Sequence, residues 1–329
     1  MTAIPVDAVA LADARRFNRK LAWAPRFKIR SRVTPWFIQG LLRASQVTAR
    51  RTLARRGIAV RTLLAQVDGH AVPVRVLRGA GPATGVLLDF HGGGWVIGNA
   101  TMDDDQNAAF IDACGVAVVS VDYRLFPRTP LAGMMADCLA AARWLLAGGL
   151  AELDGLPVFV VGESAGGHLA AATLLQLKNW PDLFARIHGA ILYYGVYDLA
   201  GTPSVHAAGP ATLVLDGPGI PQALSQLTPG LTTAARRTAP YSPLFGDLSG
   251  MPPALLVAGT LDPLVDDSVA MAARWGAVAE CELHLLPECP HGFIRFPTLL
   301  ARRTVARSHA WLTGHLACAG ALVTNGDKR

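Results

Sequence analysis

"VFVVGESAGGHLA", residues 158–170, is the stretch whose reading decides the fold. Val158-Phe159-Val160-Val161 reads as a buried strand, and the run from Ala165 reads as a helix. Between them stands Gly162-Glu163-Ser164-Ala165-Gly166. A G-x-S-x-G with a strand before it and a helix after it carries its serine on a sharp turn at the C-terminal edge of a sheet. Gly162 and Gly166 let strand and helix approach without a Cβ clash. The Ser164 hydroxyl is then expected at a helix N-terminus, where the dipole favours developing negative charge. Without that context the pentapeptide would be an ordinary Gly/Ser turn.

Working outward, apolar strands and amphipathic helices alternate. "VPVRVLRG" (ending at Gly79), "GVLLDF" (85–90), "VAVVSVDY" (116–123), "IHGAILYYG" (187–195), "PPALLVAGTLD" (252–262) and "CELHLLPE" (281–288) read as strands. "AAFIDACG" (closing at Gly115), "MMADCLAAARWLLA" (134–147), "DSVAMAARWGAV" (267–278) and roughly "ARRTVARSHAWLTGHLAC" (301–318) read as helices. Such alternation means βαβ units and a mostly parallel central sheet flanked by helices. Residues 199–250 break the rhythm with Gly, Pro, Ser and Thr and only weak helical patches. An interruption that long in a compact α/β chain reads as an inserted lid.

Of the 329 residues, 51% are hydrophobic and 16% charged, enough apolar content for a large core. No apolar run approaches the ~18 residues of a membrane span. The N-terminus carries charge where a signal peptide needs its apolar block, so a cytoplasmic location is expected. Five scattered cysteines form no CxxC pair, and no clustered His/Cys spacing suggests a metal. The net charge of +6 is unevenly spread. Residues 1–61 hold 14 Lys/Arg and two acids, a net of +12, and the remainder carries −6. We read residues 1–60 as a basic helical segment with Trp36-Phe37-Ile38 and Leu41-Leu42 against the body and arginines in water. Weak contact with a membrane surface is the alternative use of such a segment. No nucleic-acid partner is expected.

A serine at its free pKa is a poor nucleophile and needs a base oriented by an acid. Behind a nucleophile elbow the partners follow in the order Ser, acid, His. Asp262 falls just past one strand and His291 just past the next, which would bring both to the sheet edge that carries Ser164. Asp266 and Asp267 are rivals, but they stand where a helix begins and acids serve its dipole. His168 is expected to pack near the elbow. His188, His206, His284, His309 and His315 have no acid and serine in matching context.

"DFHGGGWVIG" (89–98) places three glycines at the end of a core strand. Acyl transfer builds negative charge on a carbonyl oxygen, and each backbone N–H aimed at it contributes roughly 3 kcal/mol. A glycine loop can offer such N–H groups because no side chain intervenes. An HGGG loop is one half of an oxyanion hole, and the N–H after the nucleophile, here of Ala165, is the other.

The chain resembles the hormone-sensitive-lipase-like branch of the α/β-hydrolases, which includes bacterial type IV esterases and arylacetamide deacetylase. The resemblance runs from about residue 60 to the C-terminus. It rests on His91-Gly92-Gly93-Gly94-Trp95, Val121-Asp122-Tyr123-Arg124-Leu125, Asp137-Cys138 with Arg143-Trp144-Leu145, Gly162 to Gly167, Asp262-Pro263-Leu264 and His291-Gly292-Phe293. It implies a catalytic triad of Ser164, Asp262 and His291. It implies oxyanion donors at Gly93, Gly94 and Ala165, with His91, Gly92 and Trp95 shaping the loop and Gly162, Glu163 and Gly166 forming the elbow. It implies a helical cap made of residues 1–60 and 199–250 on a core of 61–198 and 251–329, and no cofactor. The departures are Glu163 where Asp or Thr is usual, Phe126 and Arg128 in place of the Ala and Glu of "YRLAPE", and His168 where Asn is common.

The expected activity is that of a serine carboxylesterase on small, short-acyl ester substrates. An amidase or deacetylase would use the same triad, and a membrane-associated lipase would add the basic N-terminus. Plant gibberellin receptors resemble this branch but lack the catalytic histidine, so His291 argues against a non-catalytic receptor. A homodimer accords with the branch. Trp36, Phe37 and Phe126 are candidate pocket-lining residues.

Overall fold

The computed structural model describes residues 3–28 and 33–326. Positions 1–2, 29–32 and 327–329, which fall in the expected N-terminal segment and at the end of the core, lie outside the described residues. The chain opens with α1 (Ala8–Leu21), α2 (Val33–Ser45) and α3 (Ala49–Arg55), then forms the hairpin β1 (Ala59–Val67) and β2 (His70–Arg78). The α/β alternation follows: β3 (Val86–Phe90), α4 (Asp104–Cys114), β4 (Ala117–Val121), α5 (Leu131–Leu146), β5 (Val158–Glu163), α6 (Ala165–Leu177), the short α7 (Pro181–Phe184) and β6 (Ile187–Tyr193). Between β6 and the next strand lie α8 (Pro203–Ala207), α9 (Ile220–Leu227) and α10 (Thr233–Arg236). The chain closes with β7 (Ala254–Gly259), α11 (Val265–Gly276), β8 (Cys281–Leu286) and α12 (Leu299–Gly326).

The eight strands form one sheet in the order β1-β2-β4-β3-β5-β6-β7-β8. Only β2 runs against its neighbours, and every other adjacent pair is parallel. β3, β4 and β5 are buried along their whole length because helices cover both faces. Val86, Leu88 and Phe90 join the core under α5, α6 and α11, while Leu87 faces the core under α1, α4 and α12. In α6, 11 of 13 residues are buried, so its small, apolar sequence fits a helix enclosed on all sides.

The site is placed by the order of the central strands. From β3 the chain moves to β4 on one side, and β5 takes the other side. This reversal opens a crevice at the C-terminal ends of β3 and β5, the usual place for a ligand in an open α/β sheet. The β3–β5 register pairs Phe90 with Gly162, so the loop at His91 and the turn at Ser164 leave the sheet at the same level.

Three details differ from the sequence expectation. The chain forms an additional strand, β1, which begins at Ala59, just before the residue-60 boundary. Its signal is the Asp68-Gly69 pair, a two-residue hairpin turn with both φ values positive (51° and 75°). The last helix runs eight residues beyond Cys318, to Gly326. The apolar side of α2 does not lie on the body: Trp36, Phe37 and Leu41 are exposed, and Ile38 and Leu42 are half-buried. Trp36 and Phe37 therefore do not line a pocket, whereas Phe126 is half-buried against the core. Among the described residues, no helix is long and apolar enough to cross a membrane.

Glycine substitutions separate close packing from mere flexibility. A Cβ on Gly166 would stand 1.8 Å from the Phe90 carbonyl oxygen, whereas one on Gly314, inside α12, would meet nothing within 4 Å. Urea denaturation should find Gly166→Ala destabilised by at least about 2 kcal/mol. Gly314→Ala should be neutral or up to about 1 kcal/mol more stable.

Candidate active site

Ser164 sits between β5 and α6 with φ 57° and ψ −117°, a conformation that non-glycine residues rarely adopt. Its surroundings impose it. The Ser164 N–H donates to the Tyr193 carbonyl on β6 (2.9 Å), and its own carbonyl accepts from the His168 N–H (3.1 Å). A Cβ on Gly162 would come within 2.4 Å of the Gly166 carbonyl oxygen, so glycine permits the tight return from strand to helix.

Three elements converge on the hydroxyl. His291 Nε2 lies 2.8 Å from Ser164 Oγ, and His291 Nδ1 lies 2.8 Å from Asp262 Oδ2. Because the carboxylate can only accept, Nδ1 carries the ring proton and Nε2 is left to accept the serine proton. Asp262 is fixed by its second oxygen, which accepts from the Leu264 N–H at 2.8 Å. Asp262, not Asp266 or Asp267, is thus the carboxylate that meets His291. Asp266 accepts from the Ser204 N–H. Asp267, which burial lifts to about 7, accepts from the N–H groups of Tyr197 and Asp198 and from the Thr202 hydroxyl.

Burial works against the charged form of His291. The Asp262 charge, its hydrogen bond and the more distant Glu163 charge outweigh it, so the imidazole sits above its ordinary value. The Tyr194 ring meets the imidazole edge-on at 4.9 Å.

The glycine loop comes in from β3. Gly93 and Gly94 both have positive φ (104° and 59°), and a Cβ on Gly93 would lie 2.2 Å from the Ile97 carbonyl oxygen. The Gly93 carbonyl turns away to accept from the N–H groups of Val96 and Ile97. The N–H groups of Gly93, Gly94 and Ala165 have no acceptor among the described residues. Gly92 lies against the elbow, where a Cβ would be 3.0 Å from the Glu163 carbonyl oxygen. His91 is buried, stacks on Tyr123 at 4.1 Å and donates from Nδ1 to the Gly92 carbonyl, and burial lowers its pKa. The Tyr123 hydroxyl donates to the His91 carbonyl at 2.7 Å. Trp95 is buried with its ring at the edge of His168, and its carbonyl accepts from the Phe126 N–H. His168 donates to the Tyr241 carbonyl, and burial lowers its pKa to about 4.

Two sets of contacts near the site have no signal in the sequence. Arg295, on the turn after His291, grips Glu163 with Nε at 3.0 and 2.7 Å from its two carboxylate oxygens and also pairs with Asp103. This cluster ties the elbow, the histidine loop and the start of α4 together. A single arginine and one aspartate of the Asp103-Asp104-Asp105 run, 192 residues apart, give no pattern to read. On the outer side of the glycine loop, Gln39 of α2 donates to the Gly98 carbonyl (2.9 Å) and accepts from its N–H (2.7 Å). Gln46 and Asn99 exchange a second reciprocal pair of amide bonds. Among the described residues no group of three His, Cys, Asp or Glu side chains could hold a metal ion.

A crevice at the sheet's C-terminal edge with a serine, a base and an orienting carboxylate in line can carry out acyl transfer. Comparison with known proteins agrees. The sequence profile of the α/β-hydrolase fold matches residues 87–295. The chain belongs to the α/β-hydrolase family, within its hormone-sensitive-lipase-like branch of ester hydrolases. Ethyl acetate hydrolase of Pseudomonas putida is 33% identical over 71% of this chain and 74% of its own length. Carboxylesterase NlhH of Mycobacterium tuberculosis is 34% identical over 64% of this chain and 67% of its own. The crystal structure of esterase LipW from Mycobacterium marinum superposes with a TM-score of 0.80 at 27% identity, covering 93% of this chain and 97% of that one.

Glu163 gives a test of the electrostatics. Its negative charge favours the imidazolium of His291. In Glu163→Gln the acid limb of the kcat/KM pH profile should move to lower pH, because less charge opposes loss of the proton from His291. Arg295 would lose one of its two carboxylate partners, so thermal denaturation should find the variant about 1–3 kcal/mol less stable.

Proposed function

We propose that the protein is a serine carboxylesterase that hydrolyses small, short-acyl esters through an acyl-enzyme on Ser164. The observation that carries the proposal is the line Ser164 Oγ, His291 Nε2, His291 Nδ1, Asp262 Oδ2, with 2.8 Å at each of its two hydrogen bonds. His291 takes the hydroxyl proton as Ser164 attacks the ester carbonyl. Asp262 holds the ring in the required tautomer and stabilises the imidazolium. The oxyanion accepts from the unused N–H groups of Gly93, Gly94 and Ala165, of which Ala165 stands at the N-terminus of α6. The alkoxide leaves with the proton from His291. Water then repeats the sequence on the acyl-enzyme, its proton passing to His291 and on to Ser164 as the acid departs. His91, Gly92 and Trp95 hold the loop, and Gly162, Glu163 and Gly166 hold the elbow. The scheme needs no cofactor.

In this reading residues 1–60 and 199–250 form the cap, on a core of 61–198 and 251–329. Backbone bonds of Phe27 with Val214 and Asp216, joining the two stretches, support it. Such a cap bounds the acyl pocket, and an ethyl acetate hydrolase among the relatives fits a short acyl chain.

A fluorophosphonate probe should label the wild-type protein and leave Ser164→Ala unlabelled. With p-nitrophenyl acetate, Ser164→Ala should lose about a million-fold in kcat. Asp262→Asn should lose on the order of ten-thousand-fold. A panel of p-nitrophenyl esters should peak at two to four acyl carbons. A higher rate on the matching anilide would overturn the esterase reading in favour of an amidase, and retained turnover in a folded Ser164→Ala protein would overturn the mechanism.

A further inference from the structure

We propose that the outer side of α2, with the arginines that follow it, docks the protein on an anionic lipid surface. The inference does not depend on the proposed reaction, because it concerns a face of the molecule that the chemistry leaves unused.

The helix α2 has two unlike sides. Its inner side is committed: Ile38 and Leu42 are half-buried, Gln39 is bound to Gly98, and Gln46 just past its end is bound to Asn99. On its outer side Trp36 is 78% exposed, Phe37 59% and Leu41 56%. Single exposed apolar side chains are ordinary on a protein surface. Two aromatics and a leucine within six residues of one helix are a patch, and such patches mark contact with another phase or partner.

Charge selects the occupant. No acidic residue stands between Asp13 and Asp68. Arg43, Arg50, Arg51 and Arg55 are exposed and form no ion pair among the described residues. A second copy of the chain is disfavoured, since a two-fold contact would set this patch, and its arginines, against themselves. Exposed Trp and Phe on the helix that carries Arg43, followed in the chain by the arginines of α3, match the boundary between anionic headgroups and acyl chains, where aromatic rings settle and guanidinium groups meet phosphates. The same helix is hydrogen-bonded to the glycine loop, so docking by α2 would hold the active-site crevice close to the lipid interface.

The full chain should float with vesicles of phosphatidylglycerol and phosphatidylcholine at low salt. Binding should fall with added salt as the charges are screened, and vesicles of phosphatidylcholine alone should retain at least tenfold less protein. The combined variant Trp36→Ser, Phe37→Ser, Leu41→Ser and the separate variant Arg43→Gln, Arg50→Gln, Arg51→Gln should each lose at least tenfold in bound fraction, with circular dichroism and melting unchanged. If one variant fails to fold, the other decides. Absence of flotation by the wild type at low salt would overturn the proposal, as would undiminished binding by either folded variant. Stronger capture by duplex DNA than by vesicles, or a wild-type dimer that the apolar variant dissolves without any vesicle binding, would replace lipid with that other occupant.

Discussion

The close approach of α6 to the end of β3 governs this molecule. At Gly166 the helix comes so near the Phe90 carbonyl that no side chain fits. That contact brings the N-terminus of α6 beside the strand end from which the glycine loop departs. The strained Ser164 conformation is then a consequence, because the chain must leave β5, turn back over Gly162 and enter the helix within a few residues. A conformation of that kind persists only where surrounding bonds over-determine it. Here a β6 carbonyl holds the serine N–H and the first turn of α6 holds its carbonyl.

Around this fixed point the charges are arranged in two tiers. The inner tier is Asp262 and His291, both buried, with the carboxylate immobilised by a backbone N–H. The outer tier is Glu163 and Asp103 on Arg295, which joins the elbow, the turn after His291 and the start of α4. The outer tier touches none of the atoms of the serine–histidine hydrogen bond. It acts on the imidazole through space and on the loop through geometry.

Local signals in the sequence and the structure correspond closely where the physics is local. The β3 to β8 alternation, the elbow and the stop at Gly115 are each written in a dozen neighbouring residues, because burial period and turn chemistry are short-range. The order of Ser164, Asp262 and His291 could be read because topology brings strand ends to one edge. Contacts between distant single residues could not. Nothing near Arg295 announces Glu163 or Asp103. Nothing in "VTPWFIQGLLRASQ" says that Gln39 and Gln46, rather than Trp36 and Phe37, turn toward the body. The β1 strand lies at the sheet edge with only Ala65 buried, so it shows no apolar period, and its local sign is the Asp68-Gly69 turn.

The two fastenings of the N-terminal segment share neutral amide bonds and differ in that the first adds ion pairs. The helix α1 buries Ala10 and Ala14, donates from Asn18 to the Glu288 carbonyl, and adds exposed ion pairs, Arg15 to Glu288 and Asp7 at its N-cap to Arg303. The helix α2 and the residue after it are tied by neutral amides, Gln39 to Gly98 and Gln46 to Asn99, which neither titrate nor respond to ionic strength. Brine or acid would therefore remove the ionic part of the first helix's hold, a small part for exposed pairs, and leave the amide bonds of the second unchanged. The part of the N-terminal segment in contact with the glycine loop is thus held by bonds that do not depend on the medium.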